Sequence, residues 1–384
     1  MAIQAIQNYT RLMARVFTDL ETIPVFTFFQ NLFTSGQTII EVDANAIDID
    51  IQRGNKKLAV YIPRGTDAKN LGPNKKQGLI EKFTSDTKLF PLIEEETPIT
   101  SDMITKRMPG EPVYAPLSRT AKQTALAMKA HREHMNRIIR KMEYSAAESI
   151  RTGFQTIHGG LSYDFYRLAT HNATASTVWS DSANAVPVAD LAGAGDLIFR
   201  DGNRRPTDII FSGQSWTEFL ATTEITTLAG SRRIVHFVAD MQQDAPGGYD
   251  DWVRAGAIYQ GQVKAGDWKF NMWTYPAIYE TDADVQTQYL PDEEVLMVAK
   301  GARYDRYFGP QDRLEVDDSI FQRMFGIGDI SGMSPNVVES GIFNSAMFHV
   351  DAYGGANKKS FTVRTQVAPI FPTTEIDTIV KLAT

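Results

Sequence analysis

Several stretches of the 384-residue chain carry residues of types that do chemistry. His131 and His134 flank Glu133, the residue types of a zinc hydrolase, but the HExxH spacing that sets two imidazoles and a base on one helix face is absent. Gly326-Ile327-Gly328-Asp329-Ile330-Ser331-Gly332 is the nearest approach to a dinucleotide loop, yet it is one residue too long and no strand precedes it. Gly213-Gln214-Ser215-Trp216-Thr217 lacks the second glycine of a nucleophile elbow, and no GxxxxGK[ST] stretch occurs. Carboxylates cluster at Asp43, Asp48 and Asp50, at Glu293-Glu294 and at Asp317-Asp318, residues that serve acid–base or divalent-cation chemistry elsewhere. On strand ends and loops they read as solvated charge. The histidine pair reads similarly, as a solvated or subunit-facing pair on a polar helix face.

The chain has no cysteine, which removes thiol nucleophiles, cysteine-ligated metal sites and disulfide staples together. The expectation is a protein that is not an enzyme, with no cofactor, metal or catalytic residue. A hydrolase built on scattered carboxylates stays open as an alternative. So does a carbohydrate- or protein-binding module using Trp252, Trp268 and Trp273.

The elements that must position these residues are unevenly charged. The net charge is -7, but residues 119–151 carry eight basic against three acidic side chains, whereas 152–384 carry an excess of eleven acids. Duplex binding draws on a broad basic face, so this distribution argues against nucleic-acid recognition and for self-association through complementary patches. No run approaches the ~18 apolar residues of a membrane span. Asp19 and Glu21 interrupt any apolar core of a signal peptide, which reads as a non-secreted chain.

The first segment, to about Thr34, concentrates Phe17, Phe26, Phe28, Phe29 and Phe33, an aromatic arm that must be buried on its own body or on a neighbour. Alternation through Ile47, Ile49 and Ile51 predicts a strand, and the run from Gly65 to Gly78 has the composition of a loop tip. Residues 46–115 together read as a long two-stranded excursion that needs a partner surface. Arg119–Arg151 is the strongest helix, with Met135, Ile138, Ile139, Met142, Ala146 and Ile150 on one face, Ser118 as its N-cap and Gly153 as its stop. Its other face holds Lys122, Lys129, Arg132, Arg137, Arg140 and Lys141. A short hairpin over 154–167, a helix over 187–200 and strands at 208–211, 257–259, 269–272, 277–280 and 294–299 follow. Residues 309–357 read as loops, and two strands at 360–370 and 378–382 close the chain. This is an α+β signature.

An apolar arm, a long two-stranded loop, a long helix, a second α+β unit and a closing strand, in this order, resemble the Hong Kong 97-type fold of tailed-phage major capsid proteins. Tyr289-Leu290-Pro291-Asp292-Glu293-Glu294-Val295-Leu296-Met297-Val298 leading to Ala302-Arg303-Tyr304 is similar to a strand of the lambda major head protein family. So are Arg107-Met108-Pro109-Gly110-Glu111 before the helix and Phe361-Thr362-Val363-Arg364-Thr365-Gln366-Val367-Ala368-Pro369 near the end. The resemblance implies a protein that assembles as hexamers and pentamers into the icosahedral head shell around double-stranded DNA. It would be made in the host cytoplasm and reside in the virion capsid. A cargo-holding nanocompartment of the same fold is the alternative within that class.

Under the resemblance, residues 1–45 are the N-terminal arm and 46–116 the extended loop. Residues 117–183 hold the spine helix and peripheral domain, 184–354 the axial domain, and 355–384 the strands returning to the peripheral domain. It also implies a separate scaffolding protein, a portal at one vertex and a decoration protein, with no membrane partner and no sequence-specific DNA contact. Some relatives crosslink through Lys and Asn, and the loop tip here holds Asn70, Lys75 and Lys76, although the lambda type is not expected to crosslink. Charge complementarity marks Glu94, Glu95 and Glu96 on the loop, and Lys129, Arg132, Arg137, Arg140 and Lys141 on the helix, as candidate contacts between neighbouring subunits.

Overall fold

The computed structural model describes residues 27–33, 40–41, 46–53, 82–106, 118–230, 248–281, 283–310, 349–354 and 360–384. The arm contributes a five-residue helix, α1 (Phe28–Leu32), and a short strand, β1 (Ile40–Glu41). Strands β2 (Ala46–Arg53) and β3 (Lys82–Leu89) pair antiparallel as the two sides of the expected excursion. The loop tip with Asn70, Lys75 and Lys76 lies outside the described residues.

Strand β4 (Ile93–Thr100) leaves that ribbon. A short helix, α2 (Ser101–Thr105), follows, and then α3 (Arg119–Thr152), whose 34 residues make a rod about 50 Å long. The Ser118 hydroxyl accepts from the Ala121 amide at 3.2 Å, the predicted N-cap. Gly153 ends the helix at φ 78°, where a Cβ would stand 2.7 Å from that of Arg167. Glycine is required there by both conformation and space.

After the helix come the hairpin β5 (Phe154–Thr156) and β6 (Ser162–Asp164), then β7 (Asn172–Thr174) and α4 (Pro187–Gly202). Next are β8 (Asp208–Phe211), α5 (Gly213–Ala221), α6 (Thr223–Gly230) and α7 (Asp250–Arg254). Strands β9 (Ile258–Ala265), β10 (Trp268–Thr274), β11 (Ile278–Glu280), β12 (Gln286–Gln288), β13 (Glu294–Val298) and β14 (Tyr307–Phe308) lead to the C-terminal strands. Those are β15 (His349–Gly354), β16 (Ser360–Val367), β17 (Pro369–Ile370) and β18 (Ile379–Ala383). The stretch read as loops over 309–357 therefore includes, among its described residues, the strand β15, which the antiparallel ladder with β16 holds extended.

The largest sheet has the order β7-β18-β13-β8-β10-β9 and is mixed, with β8–β10 and β7–β18 parallel. It is covered on both faces, and so β8 reads Asp-Ile-Ile-Phe with every residue buried. Alternation along the strands sorts the core in two. Ile210, Trp273, Leu296, Val298 and Ile379 pack with α1 and the second half of α3. Ile209, Phe211, Met272, Val295, Met297 and Val380 pack with Leu191, Ala194 and Ile198 of α4. The second sheet, β15-β16-β4, lies against the first half of α3, and a third, β1-β14-β17, carries the arm. Between the hairpin and this third sheet a small cluster of Ile49, Phe165, Ile370 and Ile376 forms the base of the excursion.

Candidate subunit-contact surface

Helix α3 ties the molecule together, and the two sides it presents are built differently. Its apolar side follows the predicted spacing: Met135, Ile138, Met142, Ala146 and Ile150 are all buried. Glu143 lies on that same side and is fully buried. Its Oε1 accepts from the Phe29 amide at 2.7 Å and the Tyr275 hydroxyl at 3.0 Å, and its Oε2 from the Gln30 amide at 3.1 Å. Gln30 Nε2 in turn donates to the Ile139 carbonyl at 3.0 Å. The carboxylate thus caps α1, while the rings of Phe28 and Phe29 sit edge-on or tilted to Trp252 and Tyr275 at centroid distances of 5.0–5.3 Å. Burial pushes Glu143 up to about 7, against the pull of the donors that bond it.

The first half of α3 packs its buried polar residues on the β4–β16 pair. His134 Nε2 lies 2.7 Å from Thr97 Oγ1, and Thr365 Oγ1 stands 3.3 Å from His131 Nδ1 and 3.4 Å from His134 Nδ1. These histidines are not solvated or subunit-facing as expected. The hydroxyls of Thr97 and Thr365 give them hydrogen-bond partners, so the imidazoles can enter the helix–sheet interface. Burial lowers His131 to about 4 and also lowers His134. Lys122, expected on the polar face, is buried too, and its Nζ donates to the Lys106 carbonyl at 3.2 Å.

The remaining charged positions line the outer side of the helix. Lys129, Arg132, Arg137, Arg140 and Lys141 are exposed. Lys129 reaches Glu133 at 3.8 Å, and Lys141 Nζ lies 4.8 Å from the centre of the Tyr144 ring. On β4, Glu94 and Glu96 are exposed and Glu95 is half-buried. Gln366 donates to Glu94, and Arg137 reaches Glu95 at 3.3 Å. The acidic and basic sets singled out in the sequence therefore meet within a single chain at Arg137 and Glu95, because β4 folds back onto the helix that follows it. Glu94, Glu96, Arg132, Arg140 and Lys141 keep their side chains toward solvent on either side of that pair.

The other chemical candidates have structural employment. Glu294 would be raised by burial, but Arg151 at 2.7 Å and Lys381 at 3.4 Å hold it below the ordinary carboxylate range, tying the end of α3 to β13 and β18. Ser212 and Ser215 share a 2.5 Å hydrogen bond at the start of α5, where Ser212 Oγ caps the Ser215 amide. Asp48 accepts from Thr87 across the β2–β3 ribbon. Asp43, Asp317-Asp318 and the glycine run at 326–332 lie outside the described residues. Trp252 and Trp273 are core residues in edge-to-face contact at 5.1 Å, and Trp268 donates to Asp196 at 2.8 Å. Trp252 and Trp273 are thus committed to packing, and Trp268 is half-buried at the edge of the second core.

Sequence reasoning passed over Glu143 and two further polar anchors. Asp208 accepts from Tyr249, Asn271 and Trp273, and burial raises its pKa against those bonds. Arg167 donates to the carbonyls of Ile150 and Arg151 at 3.0 and 2.6 Å, clipping the helix C-terminus, and desolvation pulls it down to about 10. Only Glu143 had a legible signal. It falls four residues after Ile139 and three before Ala146, an acid on an apolar stripe.

A family model described as phage major capsid protein E matches residues 10–324. No curated protein matches the chain. Among solved structures, a protein assigned as a prophage capsid protein from E. coli CFT073 superposes with a TM-score of 0.53 at 16% identity, covering 79% of each chain. A phage-related protein from Bordetella bronchiseptica RB50 gives 0.49 at 10% identity, over 98% of this chain and 95% of the other. The capsid of cyanophage A-1(L) gives 0.49 at 11% identity, over 94% and 93%. The chain belongs to the phage major capsid protein E family, and its fold is the Hong Kong 97-type capsid fold. It is a major capsid protein that associates with copies of itself into a shell, and its place is the virion capsid.

Proposed function

We propose that the chain forms hexamers and pentamers that close into an icosahedral head around double-stranded phage DNA, held by outward charges flanking the Glu95–Arg137 pair. The observation that carries the contact assignment is the exposure of Arg132, Arg140 and Lys141 on one helix beside a strand that exposes Glu94 and Glu96. Within one chain Arg137 and Glu95 form an ion pair. The exposed Arg132 and Arg140 of one copy would then face the β4 acids of the next, across a subunit boundary. A shell benefits from many modest contacts of this kind, since a closed symmetric array multiplies each one and weak single contacts let errors dissolve. The acid excess of residues 152–384 supports the DNA part of the reading, because a wall that grips phosphates would hinder packing. A scaffolding protein, a portal and a decoration protein belong to the same proposal, as does synthesis in the host cytoplasm, and the Asn70–Lys75–Lys76 tip is assigned to reaching a neighbour.

Replacing Arg132 and Arg140 together by Glu tests the contact. The expected result is a chain with unchanged circular dichroism and melting that no longer gives closed particles by electron microscopy. Normal shells from that double variant would remove these residues from the interface.

A further inference from the structure

Glu143 is a fully buried carboxylate whose hydrogen-bond partners among the described residues are all neutral: two backbone amides of the arm, the Gln30 side chain and the hydroxyl of Tyr275. Those amides belong to α1, so the carboxylate is dehydrated only while the arm is seated. We propose that Glu143 is a proton-operated latch for the arm: protonated, it keeps the Phe28–Leu32 helix seated on α3, and ionised, it weakens that seat.

The geometry accepts both protonation states. Phe29 and Gln30 donate to different oxygens, so each amide keeps an acceptor when one oxygen takes a proton. The Tyr275 hydroxyl donates to Oε1 at 3.0 Å and, turned about its C–O bond, accepts from a protonated carboxyl at the same place.

The direction follows from linkage. With the arm away, Glu143 meets water and titrates in the ordinary carboxylate range. With the arm seated, burial moves it up to about 7. Seating therefore takes up a proton between these values and is favoured as pH falls. The groups facing the carboxylate leave it as the one that titrates in this interval. The arm presents Phe28, Phe29 and Gln30, all uncharged. Tyr275 and Tyr289 are both pushed up by burial and stay protonated. Arg140 lies one turn back on α3, where its carbonyl receives the Tyr289 hydroxyl at 3.5 Å. Asp251 and Arg254 of α7 line a crevice with Thr27 and Asn31 at the arm's outer side, as an opposite-charge couple rather than a net field.

The latch goes beyond the shell reading and does not depend on it, because it is measured on the unassembled full-length chain. Hydrogen-exchange protection factors of the Phe29 and Gln30 amides, followed from pH 5 to 8, should fall by on the order of 10- to 100-fold as pH rises, by linkage at up to tenfold per unit. In Glu143→Gln the protection should be independent of pH. A flat wild-type profile, or the same slope in Glu143→Gln, overturns the latch. Tyr275→Phe supplies a second test should the Gln variant fail to fold. It removes one donor to the carboxylate and leaves the charge in place, so the interval of falling protection should move to higher pH. An unmoved interval counts against the proposal.

Discussion

The two halves of α3 carry buried titratable groups of opposite kind. From Arg119 to His134 the helix faces the β15-β16-β4 sheet through a small apolar cluster of Ile99, Ile104, Ala127 and Val363, supplemented by two imidazoles and two threonine hydroxyls. From Met135 to Thr152 it faces the arm and the six-stranded sheet through the largest core of the molecule, with one carboxylate inside it. The first half uses neutral bases that must not gain a proton, and the second an acid that resists losing one. Acidification therefore loosens one end of the rod while tightening the arm at the other. Alkaline conditions reverse only the second effect.

The difference in core size gives the largest expected effect. Ile138, fully buried in the large cluster, should lose about 2–5 kcal/mol on truncation to Ala, as transfer and cavity terms add. Val363 is equally buried but sits in the small cluster, and Val363→Ala removes about two methyl groups' worth of burial, roughly 1.5 kcal/mol. Urea unfolding of the unassembled chain measures both. Equal losses would mean that the two halves share one core.

The next effect separates the halves by pH. His131 is fully buried and lowered to about 4, from an ordinary value of 6.5. A folded-state pKa below the unfolded one means that the unfolded chain takes the proton first. The stability is complete above about 6.5 and is lost as pH falls toward 4, by about 3 kcal/mol at most. The second imidazole, His134, adds its charge to the same penalty, while Glu95, Glu96 and Glu133 oppose it and Arg137 reinforces it at His134. Thermal melting of His131→Gln between pH 4 and 7 should show a shallower acid loss than wild type. An unchanged acid limb would place the sensitivity elsewhere, in the carboxylates of the ion pairs.

What was legible in the sequence follows the range of the interactions. The helix, its Ser118 cap and its Gly153 stop are local, encoded within one turn, and the structure has them where the residues say. Alternation placed β2, and short local apolar runs placed β8, β10 and β13, for the same reason. Contacts between distant segments were not readable. His131 and His134 looked polar because Thr365, their partner, lies more than 200 residues away. Glu95 looked free to pair only with a neighbour because nothing local shows that β4 leaves the β2–β3 ribbon to join β16 beside the helix. The order of elements conveyed the fold, but the polar interior of its interfaces required three dimensions.

The smallest expected effect concerns the charge pair on the outer side of the helix, just past the junction of the two halves. Arg137 and Glu95 stand 3.3 Å apart with side chains 62% and 31% exposed, so solvent screens most of their attraction. A double-mutant cycle on Arg137→Ala and Glu95→Ala should return a coupling of about 0.2–1 kcal/mol in the unassembled chain, shrinking further in high salt. Glu95 also raises His134, so removing it should lower that imidazole further and ease the protonated state less. The acid loss seen in melting should then grow slightly in Glu95→Ala and shrink in Arg137→Ala, because the guanidinium acts on His134 in the opposite sense. A coupling well above 1 kcal/mol, insensitive to salt, would show that the pair is desolvated and that the outer face of the rod is as enclosed as its inner one. The contrast between the halves would then be one of chemistry alone, with no difference in packing behind it.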